Sequence, residues 1–176
     1  SDPSAAGFNL LAFAGRIKAS ISHGSFAGNS LRSILLLQGN ASLVVNGSVF
    51  SSNALRGSCI SALGSSTLQV QHTAFVSNIA YPQVMNGGAA VRVADNAHVV
   101  LHACSLLNST ATAPGNSGDH VLAISWGGAV HVTQRGKLAM QSSVLKDNTA
   151  NFGGSVYAGE SSQVGASHLH CSCKRV

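Results

Sequence analysis

The feature that most constrains this chain is a short internal repeat. Four segments align without gaps: Ile60-Ser61-Ala62, Val91-Arg92-Val93, Val130-His131-Val132 and Val156-Tyr157-Ala158. Six residues after the third member of each stands an aliphatic residue: Leu68, Val99, Leu138 and Val164. Two residues later comes another, at Val70, Leu101, Met140 and Ala166. Seven residues after the first of these lies an anchor, at Phe75, Leu106, Leu145 and Cys171. Upstream, Leu35-Leu36-Leu37 leads to Leu43, Val45 and Phe50, and Leu11-Ala12-Phe13 leads to Ala19, Ile21 and Phe26, at the same offsets. Self-similarity at a near-fixed period is the signature of a solenoid. In such a stack, equivalent residues of successive units lie about 4.8 Å apart.

Composition agrees with strands. Apolar residues make up 45% of the chain but aromatics only 5%, and charged residues are 9%, against about 25% in an average soluble domain. Gly and β-branched residues are abundant while Glu and Lys, good helix formers, are scarce. The reading is an all-β, single-stranded right-handed parallel β-helix solenoid of about six coils, one domain over residues 1–176. The coils run about 8–30, 31–54, 55–79, 87–110, 127–149 and 153–174. Within each first strand, Ile60, Val91, Val130 and Val156 point inward with Ala62, Val93, Val132 and Ala158, and the residues between point out.

Three residues after the anchor stands Asn29, Asn53, Asn78 or Asn148, with Ser109 and Lys174 in the other two units. These Asn residues are expected to form a ladder, bonding along the axis and to turn backbone; an alternative is that Asn merely tolerates a left-handed turn. Successive anchors are 24, 25, 31, 39 and 26 residues apart. The extra residues enter at one corner, as inserts 79–86 and 110–126. The longer one carries Pro114, Asp119, His120 and the single Trp, Trp126. Insertions on one side of a repeat protein often form its binding surface.

Three Asn-x-Ser/Thr sequons, at Asn40, Asn46 and Asn108, fall at positions expected to face solvent, as N-glycosylation requires. The four cysteines, Cys59, Cys104, Cys171 and Cys173, are disulfide candidates with three possible connectivities. Cys104 and Cys171 differ in register, so direct pairing between them is not expected, and Cys59 is placed outward. Buried thiols are the alternative. These features point to a secreted or cell-surface protein, and the chain reads as a piece of a longer one. The apolar run from Ala5 to Gly15 is too short to span a bilayer and is read as a strand.

The Gly127-Gly128-Ala129-Val130 and Gly153-Gly154-Ser155-Val156 segments, the variant Gly87-Gly88-Ala89-Ala90, and the Phe-x-x-Asn elements starting at Phe26, Phe50 and Phe75 resemble the repeats of chlamydial polymorphic outer membrane proteins and related pectin-lyase-like β-helix proteins. The resemblance covers the chain from about Leu11 to Cys171. It implies surface exposure, adhesion or matrix assembly, and says little about activity.

Polysaccharide-active β-helices need acidic clusters for calcium or paired carboxylates. Here the acids are Asp2, Asp95, Asp119, Asp147 and Glu160, and no two adjacent coils place them in register. No catalytic residue, cofactor or metal site is assigned. His168, His170, Cys171 and Cys173 match no standard zinc spacing. The ten Lys and Arg are scattered, unlike a nucleic-acid footprint, and no nucleic-acid partner is expected. One outward column, Ser61, Arg92, His131 and Tyr157, reads as a solvated stripe; Arg92, His131 and Tyr157, with Trp126 from the insert, are the candidate contacts for a partner or glycan. The leading expectation is a structural or adhesive module of a secreted glycoprotein, assembling with other copies or with extracellular proteins. The alternatives are a carbohydrate-binding or polysaccharide-cleaving protein, and a surface receptor ectodomain whose partner docks on insert 110–126.

Overall fold

The structure, a computed structural model, describes residues 8–81, 87–112 and 125–172. The described residues form strands and turns, with no helix. Apolar alternation over three to five residues, cut off by Gly, Ser or Asn, gives strands rather than helices.

Six successive units each contribute one strand to each of three parallel sheets. The first sheet takes Asn9–Phe13, Ser33–Leu37, Ile60–Ala62, Val91–Val93, Val130–Val132 and Val156–Ala158, in chain order. The second takes Lys18–Ser22, Ser42–Asn46, Thr67–Gln71, His98–His102, Lys137–Gln141 and Gln163–Ser167. The third takes Ser25–Ala27, Val49–Ser51, Ala74–Val76, Ser105–Leu107, Val144–Lys146 and His170–Ser172. The register is the one the sequence offsets require. Leu35 pairs with Ile60, Ile60 with Val91, Val91 with Val130 and Val130 with Val156. In the second sheet Leu43, Leu68, Val99, Leu138 and Val164 line up. In the third, Phe26, Phe50, Phe75, Leu106, Leu145 and Cys171 do.

One core runs through the units between the three sheets, filled by Leu43, Val45, Leu68, Val70, Val99 and Leu101 with their equivalents. The Phe26, Phe50 and Phe75 rings stack at centroid distances of 4.7 and 4.9 Å, the spacing of neighbouring strands. In the outermost units, which have a neighbour on one side only, Leu11 and Val164 are each 40% exposed, whereas their equivalents Leu35 and Leu68 are fully buried.

Each unit turns at corners in the left-handed backbone region. One set is Gly15, Gly39, Gly64, Asp95, Gln134 and Glu160; a second is His23, Gly47, His72, Ala103, Ser142 and His168; a third is Gly28, Ser52, Ser77, Asn108 and Asp147. A left-handed residue other than Gly is disfavoured by its Cβ, so its recurrence at fixed places means that stacking dictates the backbone. A further set, Gly88, Gly127 and Gly153, sits just before the first strand and explains the Gly-Gly motif. In this register the glycines of the variant pair one step along, with Gly88 opposite Gly127.

Three expectations need correction. The spacing starts both inserts at the ladder corner, but Ile79–Ala80 and Thr110–Ala111 form a fourth, three-stranded parallel sheet with Ala54–Leu55. Trp126, placed at the end of the longer insert, bridges in parallel to Phe152. Cys59, placed outward, is fully buried in the core beside Ile60. Strict alternation fails there because the chain is still bending into the first strand, where Ala90 and Val91 are likewise both buried. The rest of insert 110–126, including Pro114, Asp119 and His120, lies outside the described residues, as do Asp2 and Cys173.

Candidate functional site

The in-register pairing sets Ser61, Arg92, His131 and Tyr157 side by side on the outer face of the first sheet. The column exists, but it is not the solvated stripe expected from the sequence. Ser61 is 5% and His131 only 3% exposed, while Arg92 and Tyr157 are half-buried. Ser61 bonds to the Ser33 hydroxyl, and beside His131 and Tyr157 a second layer lies on this face. The Trp126 ring stacks on Phe152 at 4.7 Å and meets Tyr157 at 4.4 Å, and Tyr157 in turn lies 5.4 Å from the His131 ring. Trp126 and Phe152 occupy equivalent places, each directly before a Gly-Gly pair. Phe152 was not singled out from the sequence, although that shared position was the available signal.

Gly87 closes the layer over His131. A Cβ at Gly87 would run into the Trp126 carbonyl. Its N–H donates to His131 Nδ1 at 3.2 Å, which leaves the His131 proton on Nε2. Burial, reinforced by the Arg92 charge and opposed by Glu160, pushes the His131 pKa down to about 4. The ring is therefore a neutral donor at physiological pH. Burial also lowers the Arg92 pKa, with Asp95 opposing and Arg32 adding, but a guanidinium stays charged throughout the physiological range.

The ladder forms where the sequence placed it. Asn29 and Asn53 each donate their side-chain amide to the Oδ1 of the next unit's Asn, at 2.8 Å in both cases. The Nδ2 groups of Asn53, Asn78 and Asn148 also donate back to the carbonyls of Phe26, Phe50 and Leu106. These Asn residues are not themselves left-handed; the residue just before each one is. Hydrogen bonding, not turn tolerance, is what the position uses. At Ser109 the side-chain chain is interrupted, although the Ser109 N–H still donates to Asn148 Oδ1 at 2.9 Å.

Of the sequon residues, Asn40 and Asn108 are exposed and Asn46 is half-buried, with its Oδ1 3.4 Å from His72 Nδ1. Cys59 and Cys104 are buried free thiols, and burial raises the pKa of both. The Cys104 thiol points to the Val70 and His102 carbonyls at 3.4 and 3.3 Å. Cys171 is exposed at the edge of the third sheet. Two acids serve neighbouring units: Asp95 accepts from the Gly64 N–H at 2.8 Å and Glu160 from the Thr133 hydroxyl at 2.9 Å. His23, His72 and His168 are corner residues, and among the described residues no group of three or more His, Cys, Asp and Glu is placed to hold a metal ion.

These features define an all-β protein of stacked parallel sheets, with one outer face overlaid by an aromatic cluster. No protein-family model, curated protein or solved structure matches the chain.

Proposed function

We propose that the chain is a right-handed, single-chain parallel β-helix that serves as a scaffold module of a secreted or cell-surface glycoprotein. The observation that carries this reading is the unbroken register of three six-stranded sheets, in which Asp95, Glu160 and the Asn ladder serve the stacking of units. Right-handedness is supported by the general rule that connections between parallel strands of one sheet are right-handed in about 98% of cases. The likeness of the Gly-Gly and Phe-x-x-Asn segments to polymorphic outer membrane protein repeats points the same way. Its partners on this reading are further copies or other extracellular proteins.

A second reading, carbohydrate binding, is favoured by the Trp126, Phe152 and Tyr157 cluster, since aromatic rings offer flat apolar faces with polar edges. Expression through a eukaryotic secretory route tests the first reading. Intact mass should fall on glycosidase treatment, through glycans at Asn40 and Asn108, and sedimentation should reveal assemblies of the chain. An unchanged mass with a strictly monomeric chain overturns the scaffold glycoprotein. A glycan array tests the second: binding that Trp126→Ala and Phe152→Ala abolish supports it, and no binding to any sugar overturns it.

A further inference from the structure

Beside the aromatic cluster, the same outer face holds a basic cavity. It has a volume of about 70 Å3 and is lined by Arg32, Arg56 and Arg92, with Ser33, Ser61 and Asn9 among the polar groups around them. About 10–15 Å3 suffices for one water, so there is room for a small anion. The three arginines are far apart in sequence and come from three successive units; only the stacking brings them together. Among the described residues no carboxylate lines the cavity. Asp95, the acid whose charge reaches Arg92, is occupied with the Gly64 N–H.

Two lining groups are incomplete. Arg92 Nε and Asn9 Oδ1 are buried without a hydrogen-bond partner among the described residues. A buried charged donor left unmet is costly. The oxygen and nitrogen of an Asn side chain are interchangeable by a flip, so Asn9 can offer N–H as readily as C=O. The Ser33 and Ser61 hydroxyls bond to each other at 3.0 Å. Whichever accepts keeps its own proton for a further acceptor. The cavity thus gathers three guanidinium groups and spare donors, and among the described residues around it no carboxylate faces them.

We propose that this cavity is a subsite for an oxyanion, the sulfate or carboxylate substituent of an acidic polysaccharide. Guanidinium forks match such groups bidentately. Polysaccharide is favoured over a free ion because the column continues from Arg92 through His131 to Tyr157. That is two strand steps, about 10 Å, toward the Trp126 and Phe152 rings. A sugar chain laid along the face meets the guanidinium groups first and the aromatic rings next. The inference stands apart from the scaffold reading: a chain that never assembles can still bind the anion.

The test uses the whole chain in calorimetric titrations with four probes: a sulfated oligosaccharide, its desulfated counterpart, inorganic sulfate and a single-stranded DNA of matched charge. The sulfated sugar should bind, more weakly as salt rises, and the desulfated one should not. Arg32→Gln and Arg56→Gln, at side chains outside the core, should each weaken binding about tenfold, the loss of a charge-assisted hydrogen bond, with the melting temperature unchanged. Arg92→Lys, which keeps the charge and loses the fork, should also weaken it. No binding of any probe, or binding untouched in the Arg32→Gln/Arg56→Gln double variant, overturns the subsite. Binding of sulfate without the sugar, or of DNA as tightly as the sugar, overturns the polysaccharide assignment.

Discussion

The Asn53 side-chain amide donates to Asn78 Oδ1 at 2.8 Å, and the same oxygen accepts the Asn53 backbone N–H at 3.2 Å. One buried oxygen therefore ties two units together twice, while its own Nδ2 reaches back to the Phe50 carbonyl. Asn78→Ala removes all three bonds and leaves buried donors unmet. It should cost about 2–4 kcal/mol, given about 1–3 kcal/mol for each stranded buried group. Asn29→Ala, at a half-buried end of the ladder, should cost about 1 kcal/mol or less. Urea denaturation of the two variants checks the difference; equal losses would show that the ladder adds nothing beyond turn formation.

Phe50 and Phe75 are both fully buried and stacked on each other. Phe75→Ala should therefore destabilise by about 3–5 kcal/mol. Val130→Asp places a charge on the inward face with no partner and should abolish cooperative folding. Thermal melting followed by circular dichroism reads both. A Val130→Asp variant that melts like the parent would refute the inward assignment.

His131 makes stability depend on pH. Its folded pKa, about 4, lies below the ordinary value of about 6.5. The unfolded chain therefore binds the proton more readily, and the neutral ring favours the fold above about pH 6.5. That advantage is lost as pH falls from about 6.5 to about 4, by roughly 3 kcal/mol at most, and levels off below. Urea midpoints between pH 7 and pH 4 should show the fall, and His131→Gln should flatten that part of the profile.

Cys59 and Cys104 should resist alkylation while the chain is folded, because burial raises the thiol pKa of both and the thiolate is the reactive form. In denaturant without reductant both should label fully, as read by peptide mass. If either stays blocked until reductant is added, that cysteine is in a disulfide.

The repeat could be read from sequence because it is a spacing. Phe26, Phe50 and Phe75 stack since equal numbers of residues separate them from equivalent strands, and no knowledge of the corners is needed to count them. The Asn ladder followed by the same logic. Cys59 could not be placed this way: alternation applies to extended chain, and just before the first strand the backbone bends through Gly and Ser, so two consecutive side chains turn inward. His131 was misplaced for a different reason. Gly87, Trp126 and Phe152 share one offset, four residues before the first inward Val of their units, but spacing alone does not say which way that position folds, and it turns over the outer face, where Gly87 meets His131. The basic cavity was hidden likewise, because Arg32, Arg56 and Arg92 share no offset and meet only once the units are stacked.

Strands Ile79–Ala80 and Thr110–Ala111 are neighbours in one sheet, and the differences in coil length fall after them in the sequence. The anchors on either side, Phe75, Leu106 and Leu145, stay in register regardless. Length at this edge is thus decoupled from the stacked sheets. Foreign peptides grafted here would be displayed side by side, about 4.8 Å apart at their roots, and a lineage could rewrite what the molecule touches without renegotiating how it folds.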